Sequence, residues 1–153
     1  MWGWGMPIGG VNMMPGLPPD DDEPPQFGHS EKENGGARAS TILIVEDEAL
    51  VRISLAEEFR DCGFRVLEAC NAEEALQIFG ASEPIELMIS DVNMPGMDGA
   101  TLAAWVQSNF PDVRIVMVSG AASNRAAITG VVFIAKPFAI DNIVRIVRSL
   151  IKH

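Results

Sequence analysis

What most constrains the fold of this chain is an alternation. Five short apolar runs, at 42–45, 65–69, 86–90, 113–118 and 131–135, are separated by stretches whose apolar residues recur at helical spacing. The run Ile42-Leu43-Ile44-Val45 is continuous, as in a strand covered on both faces. After it, Val51, Leu55, Phe59 and Cys62 line one helical face, and Gly63 stops the helix. Asn71 with Glu74 predicts a helix start with reciprocal capping; Ala75, Leu76 and Phe79 give its buried face and Gly80 its end. Leu102, Trp105 and Val106 anchor a helix over 100–109, with Trp105 packed on the sheet. Ile140, Ile143, Val144, Val147, Leu150 and Ile151 mark the last helix in steps of three and four. The alternation over 41–153 predicts an α/β fold: a five-stranded parallel sheet, doubly wound, with right-handed crossovers. The stretch 121–130 is short, small and polar, and predicts a shortened or irregular fourth helix.

Residues 1–40 have another character. They hold six of the ten prolines and eight of the fourteen glycines, without a periodic apolar face, and read as a disordered Pro/Gly/acidic tail. Trp2, Trp4, Met6, Met13 and Met14 offer two readings, a short docking motif or a translated upstream region with the start at Met13 or Met14; the second is favoured. The net charge of −10 argues against direct binding of nucleic acid, whose phosphates it would repel. Cys62 and Cys70 have no metal-ligand spacing and read as reduced packing residues. No apolar run approaches the length of a membrane span, and the N-terminus lacks a positive n-region, so the expectation is a cytoplasmic protein.

The polar ends of the runs carry the chemistry. The first ends in Glu46 and Asp47, the third in Asp91, the fourth in Ser119 and the fifth in Lys136. In a parallel sheet these ends share one edge, where open α/β sheets place their sites. Carboxylates gathered there repel one another and call for a cation. Oxygen ligands without His or Cys suit Mg²⁺. Asp91 is then placed to attack phosphorus and form an aspartyl phosphate, with Lys136 and Ser119 holding phosphoryl oxygens. The segment after Asp91, Asn93-Met94-Pro95-Gly96, is a loop, because Pro and Gly break both regular structures.

In combination, VEDE after the first run, SDVNMPGMDG after the third, VSG after the fourth and AKPF after the fifth resemble the receiver domain of bacterial two-component response regulators. The resemblance covers 41–153 and implies the flavodoxin-like receiver fold. It implies that Asp91 is the phosphoacceptor, that Asp47 binds Mg²⁺ directly and Glu46 through water, and that the Asn93 carbonyl is a further ligand. It implies roles for Ser119 and Lys136 at the phosphoryl group, for Phe133 as the switch aromatic, and a cis Lys136–Pro137 bond. The chain departs from the family in three places. Glu46 stands where Asp is commoner, Phe133 has no hydroxyl in a chain without tyrosine, and Ser119 and Lys136 are closer in sequence than usual.

The function implied is a single-domain response regulator. It accepts a phosphoryl group on Asp91 from a histidine kinase or a histidine phosphotransfer protein and signals to an unknown downstream protein. Any catalysis is its own Mg²⁺-dependent phosphorylation and dephosphorylation. The alternative is a phosphorelay intermediate or phosphate sink. A remoter alternative is a flavodoxin-like cofactor binder or small phosphohydrolase on the same fold. His29 and His153 lie in tail and terminus and are not read as phosphoryl carriers.

Overall fold

A computed structural model describes residues 38–81, 83–120 and 128–152. The tail reading for 1–37, with His29, the irregular helix at 121–127 and His153 lie outside the described residues. Among the described residues, five strands and four helices follow in the order β1 Thr41–Val45, α1 Ala49–Asp61, β2 Arg65–Ala69, α2 Ala72–Gly80, β3 Leu87–Asp91, α3 Gly99–Asn109, β4 Arg114–Ser119, β5 Val131–Ala135 and α4 Ile140–Ile151. The strands form one all-parallel sheet in the order β2-β1-β3-β4-β5. All five residues of β1 and of β3 are buried, which explains their unbroken apolar sequence.

Successive side chains of a strand point to opposite faces, so each central strand feeds two cores. Ile42 and Ile44 enter the first with Leu55 and Phe59 of α1 and Ile143 and Val147 of α4. Leu43 and Val45 enter the second with Ala75 and Phe79 of α2 and Leu102 and Val106 of α3. Each large aliphatic side chain buried this way contributes about 1.5–3 kcal/mol. The sheet is therefore covered on both sides, as the alternation predicts.

Several local expectations change. β3 and β4 each run one residue later, because ladder pairing continues past the apolar run: Asp91 still pairs with Val118 and Ser119 with Ala135. Gly80 is the last helical residue of α2, and the cap falls on Ala81. The reciprocal cap at Asn71 is only half formed. Asn71 Oδ1 accepts from the Glu74 N–H at 2.7 Å, but the Glu74 carboxylate accepts instead from the N–H of Cys70, at 2.9 Å, and from its thiol. Trp105 is not a buried core residue of α3. Leu102, Ala103 and Val106 form the buried face of α3, and Trp105 sits at its margin, 36% exposed, against the rings of Phe79 and Phe110. Asp98 caps α3, its carboxylate accepting from the Thr101 N–H at 2.7 Å, which holds its pKa below the usual value.

Candidate functional site

The carboxyl ends of β1, β3, β4 and β5 meet at one edge of the sheet. Glu46 follows the last residue of β1, Asp91 ends β3, Ser119 ends β4 and Lys136 follows β5. Five of the groups singled out in the sequence converge there. Carboxylate oxygens of Glu46, Asp47 and Asp91 lie within 4.8 Å of one another. Lys136 Nζ donates to Asp91 Oδ2 at 2.7 Å and lies 3.7 Å from Glu46 Oε2. Ser119 is buried beside them, and its carbonyl accepts the Lys136 N–H at 2.9 Å. The Lys136–Pro137 bond is cis.

The loop after β3 is anchored rather than free. The Asn93 N–H donates to Asp91 Oδ1 at 3.1 Å, and Val92 and Met94 bury their side chains in the core under α2 and α3. Gly99, the first residue of α3, explains the close approach of that helix to the site. A Cβ at this position would run into the Asp91 carbonyl oxygen and the Met117 side chain, so glycine alone fits. Phe133 lies on β5 opposite Met117, partly buried against the α2–α3 core, two residues from the end of the strand.

The charges explain one another. Burial raises the Glu46 pKa above 4.5; the Glu48 N–H, donating to its carboxylate at 3.1 Å, works against this, and the charge of Asp91 adds to it. Burial would lower the Lys136 pKa, but its hydrogen bond to Asp91 and the charges of Asp91 and Glu46 outweigh that and hold it above 10.5. One ammonium thus faces a triad of acids, an arrangement with room for more positive charge. A small cluster of carboxylate oxygens, without sulfur or imidazole, fits a hard divalent ion of the Mg²⁺ type.

One contributor escaped the sequence reading. Arg52, in the first turn of α1, donates from Nη1 to the Glu46 carbonyl at 2.8 Å. The available signal was its place: side chains in the first turn of a helix point back toward the helix start, here toward the acids that precede it.

Comparison with known proteins agrees with this geometry. The family model for the response regulator receiver domain matches residues 42–148. The sensor kinase CckA of Brucella abortus is 32% identical over 128 residues, covering 80% of this chain and 14% of that protein. The transcriptional regulatory protein PdtaR of Mycobacterium tuberculosis is 33% identical over 110 residues, 67% of this chain and 52% of that protein. The chain thus spans at most about half the length of these relatives. Among solved structures, the receiver domain of the hybrid histidine kinase CckA aligns with a TM-score of 0.65 and 38% identity, over 74% of this chain and all of that one. The response regulator TrrA of Thermotoga maritima, solved in complex with Mg²⁺ and BeF, aligns with a TM-score of 0.67 and 28% identity, over 73% of this chain and 99% of that one. Among the described residues, no helix is long and apolar enough to cross a membrane.

Proposed function

The chain belongs to the response regulator receiver family, and on that premise we propose that it is a phosphorylation switch whose acceptor is Asp91. The observation that carries this reading is the joint position of Asp91, the acids Glu46 and Asp47, and the Lys136 ammonium 2.7 Å from Asp91 Oδ2. The donor is a phosphohistidine of a histidine kinase or of a histidine phosphotransfer protein. An oxygen of the Asp91 carboxylate attacks phosphorus while the P–N bond breaks, and the imidazole leaves with the bonding pair and takes up a proton.

Glu46, Asp47, Asp91 and the Asn93 carbonyl are the groups that would hold Mg²⁺. The bound ion supplies neutralisation of the charge that builds on the transferred group. Lys136 holds a phosphoryl oxygen as a point charge, exchanging its ion pair with the Asp91 carboxylate for one with the phosphoryl group. Ser119 donates its hydroxyl to a second phosphoryl oxygen. Drawing Ser119 and Lys136 toward the phosphoryl group biases β4 and β5 and repacks the surface at Phe133, which sits two residues before the end of β5. An unidentified downstream protein reads that surface.

Leu50 and Ile53 of α1, which follow the acids Glu46 to Glu48 in the chain, keep 76% and 45% of their surface exposed, and on this reading offer the phosphodonor an apolar contact. The likeness to a receiver domain of a hybrid kinase supports a second use of the same chemistry, in which Asp91 passes the group on within a phosphorelay. A flavodoxin-like cofactor role has no comparable support, since acids fill the loop after β1 where a cofactor phosphate would lie.

The test is incubation with acetyl phosphate and Mg²⁺, followed by intact mass. One phosphoryl adduct on the wild type and none on Asp91→Asn is the expected result. An equal adduct on both would place the acceptor elsewhere.

A further inference from the structure

Glu46 is gripped through its backbone as well as its carboxylate. Its N–H donates to the Ala69 carbonyl at the end of β2, at 3.0 Å, and its own carbonyl accepts Arg52 Nη1 at 2.8 Å. Arg52 is in turn tethered. Its Nε lies 3.6 Å from Glu68 Oε1 on β2, and the other oxygen of Glu68 accepts Arg60 Nη2 at 2.8 Å. The Arg52 side chain is 19% exposed and that of Glu68 28%, so this chain of contacts is partly shielded from water.

The peptide that joins Glu46 to Asp47 is planar, so a hydrogen bond to its carbonyl fixes the orientation of the whole unit. That unit carries the first atoms of Asp47, which is exposed and stands at the start of the turn into α1. We infer that Arg52, anchored by Glu68, is a positioning residue for the divalent-cation site: it locks the 46–47 peptide and thereby sets where the Asp47 carboxylate stands relative to Glu46 and Asp91. Arg52 does not touch the cation. Its contribution is to spare the ion the work of ordering a flexible turn, as partners behind metal ligands do elsewhere.

This inference rests on the reading of the acidic cluster as a cation site, and the experiment separates the two. Mn²⁺ serves as the probe on the full chain, with free ion followed by electron paramagnetic resonance for wild type, Arg52→Met, Arg52→Lys and Glu68→Gln. Arg52→Met weakens Mn²⁺ binding about tenfold or more, the usual consequence of losing such a partner. Arg52→Lys, which keeps one donor, recovers part of the loss, and Glu68→Gln falls between it and the wild type. In acetyl phosphate labelling, the half-saturating Mg²⁺ concentration of Arg52→Met rises by the same factor, while the rate at saturating Mg²⁺ stays within twofold of wild type. A purely structural role would lower the amplitude and leave the half-saturation point unmoved. Wild-type Mn²⁺ affinity in folded Arg52→Met overturns the inference. Where that variant does not fold, wild-type affinity in both Arg52→Lys and Glu68→Gln overturns it equally. A wild-type chain that binds no Mn²⁺ overturns the cation site itself and this inference with it.

Discussion

Replacing Lys136 with methionine keeps the length of the side chain and removes an ammonium that faces two carboxylates. Its nitrogen stands 2.7 Å from Asp91 and 3.7 Å from Glu46, with 30% of the side chain in solvent. At an effective dielectric of about 20, Coulomb's law gives about 6 kcal/mol of attraction for the first contact and about 4.5 kcal/mol for the second. Most of that gross attraction offsets the desolvation of the three groups. Breaking a fully buried pair costs about 3–5 kcal/mol; partial solvent access and the capacity of Glu46 to take up a proton reduce this to about 2–4 kcal/mol. For a domain of this size the unfolding midpoint falls by about 10 °C. The assay is thermal and urea unfolding at pH 7.5, in chelator and in Mg²⁺. Because the variant's acids are left without their ammonium, Mg²⁺ stabilises it more than it stabilises the wild type. At about one hundred times its dissociation constant the ion returns about 2.7 kcal/mol. Lys136→Met as stable as wild type in chelator, or destabilised yet indifferent to Mg²⁺, would refute the electrostatic account of the site.

Three further outcomes follow from the same geometry. Because the Glu46 pKa is raised in the folded protein, its contribution to stability is fully present below 4.5 and is lost as the pH rises through the folded value. In chelator, Glu46→Gln is therefore more stable than wild type at neutral pH, and the gap closes on acidification toward 4.5; parallel stability curves against pH would contradict this. Gly99→Ala forces a methyl group into the Asp91 carbonyl and costs about 2 kcal/mol or more in urea unfolding, with slower acetyl phosphate labelling of Asp91. Leu50→Glu leaves stability within about 0.5 kcal/mol and acetyl phosphate labelling unchanged, yet slows transfer from a phosphohistidine kinase; equal transfer rates would remove the α1 contact from the account.

The sheet was legible because β1 and β3 are buried on both faces, which forces unbroken apolar sequence at 42–45 and 87–89. The convergence of the acids, Ser119 and Lys136 was legible because parallel strands bring all their carboxyl ends to one edge. What the sequence concealed depends on contacts between elements. Asp91 and Ser119 are polar yet still inside their strands, since pairing with β4 and β5 continues past the apolar residues. Trp105 looks like a core anchor by spacing, but Ala103 takes the buried position and leaves the indole at the margin of α3. Glu74 has the spacing of a reciprocal cap, but its carboxylate binds Cys70 instead of reaching the Asn71 N–H. Arg52 acts through the main-chain carbonyl of Glu46 and through Glu68 on a neighbouring strand, and only its place in the first turn of α1 hints at either contact.

The central claim is that a phosphoryl group forms a bond to the carboxylate of Asp91. The most direct measurement is reductive trapping. The chain is labelled with acetyl phosphate and Mg²⁺, treated with borohydride, which converts an aspartyl phosphate to homoserine, and mapped by peptide mass spectrometry. Homoserine at position 91, dependent on Mg²⁺, is the result this account predicts. Homoserine at Asp47 or another aspartate, or an unmodified peptide from a chain that has taken up the label, would contradict it.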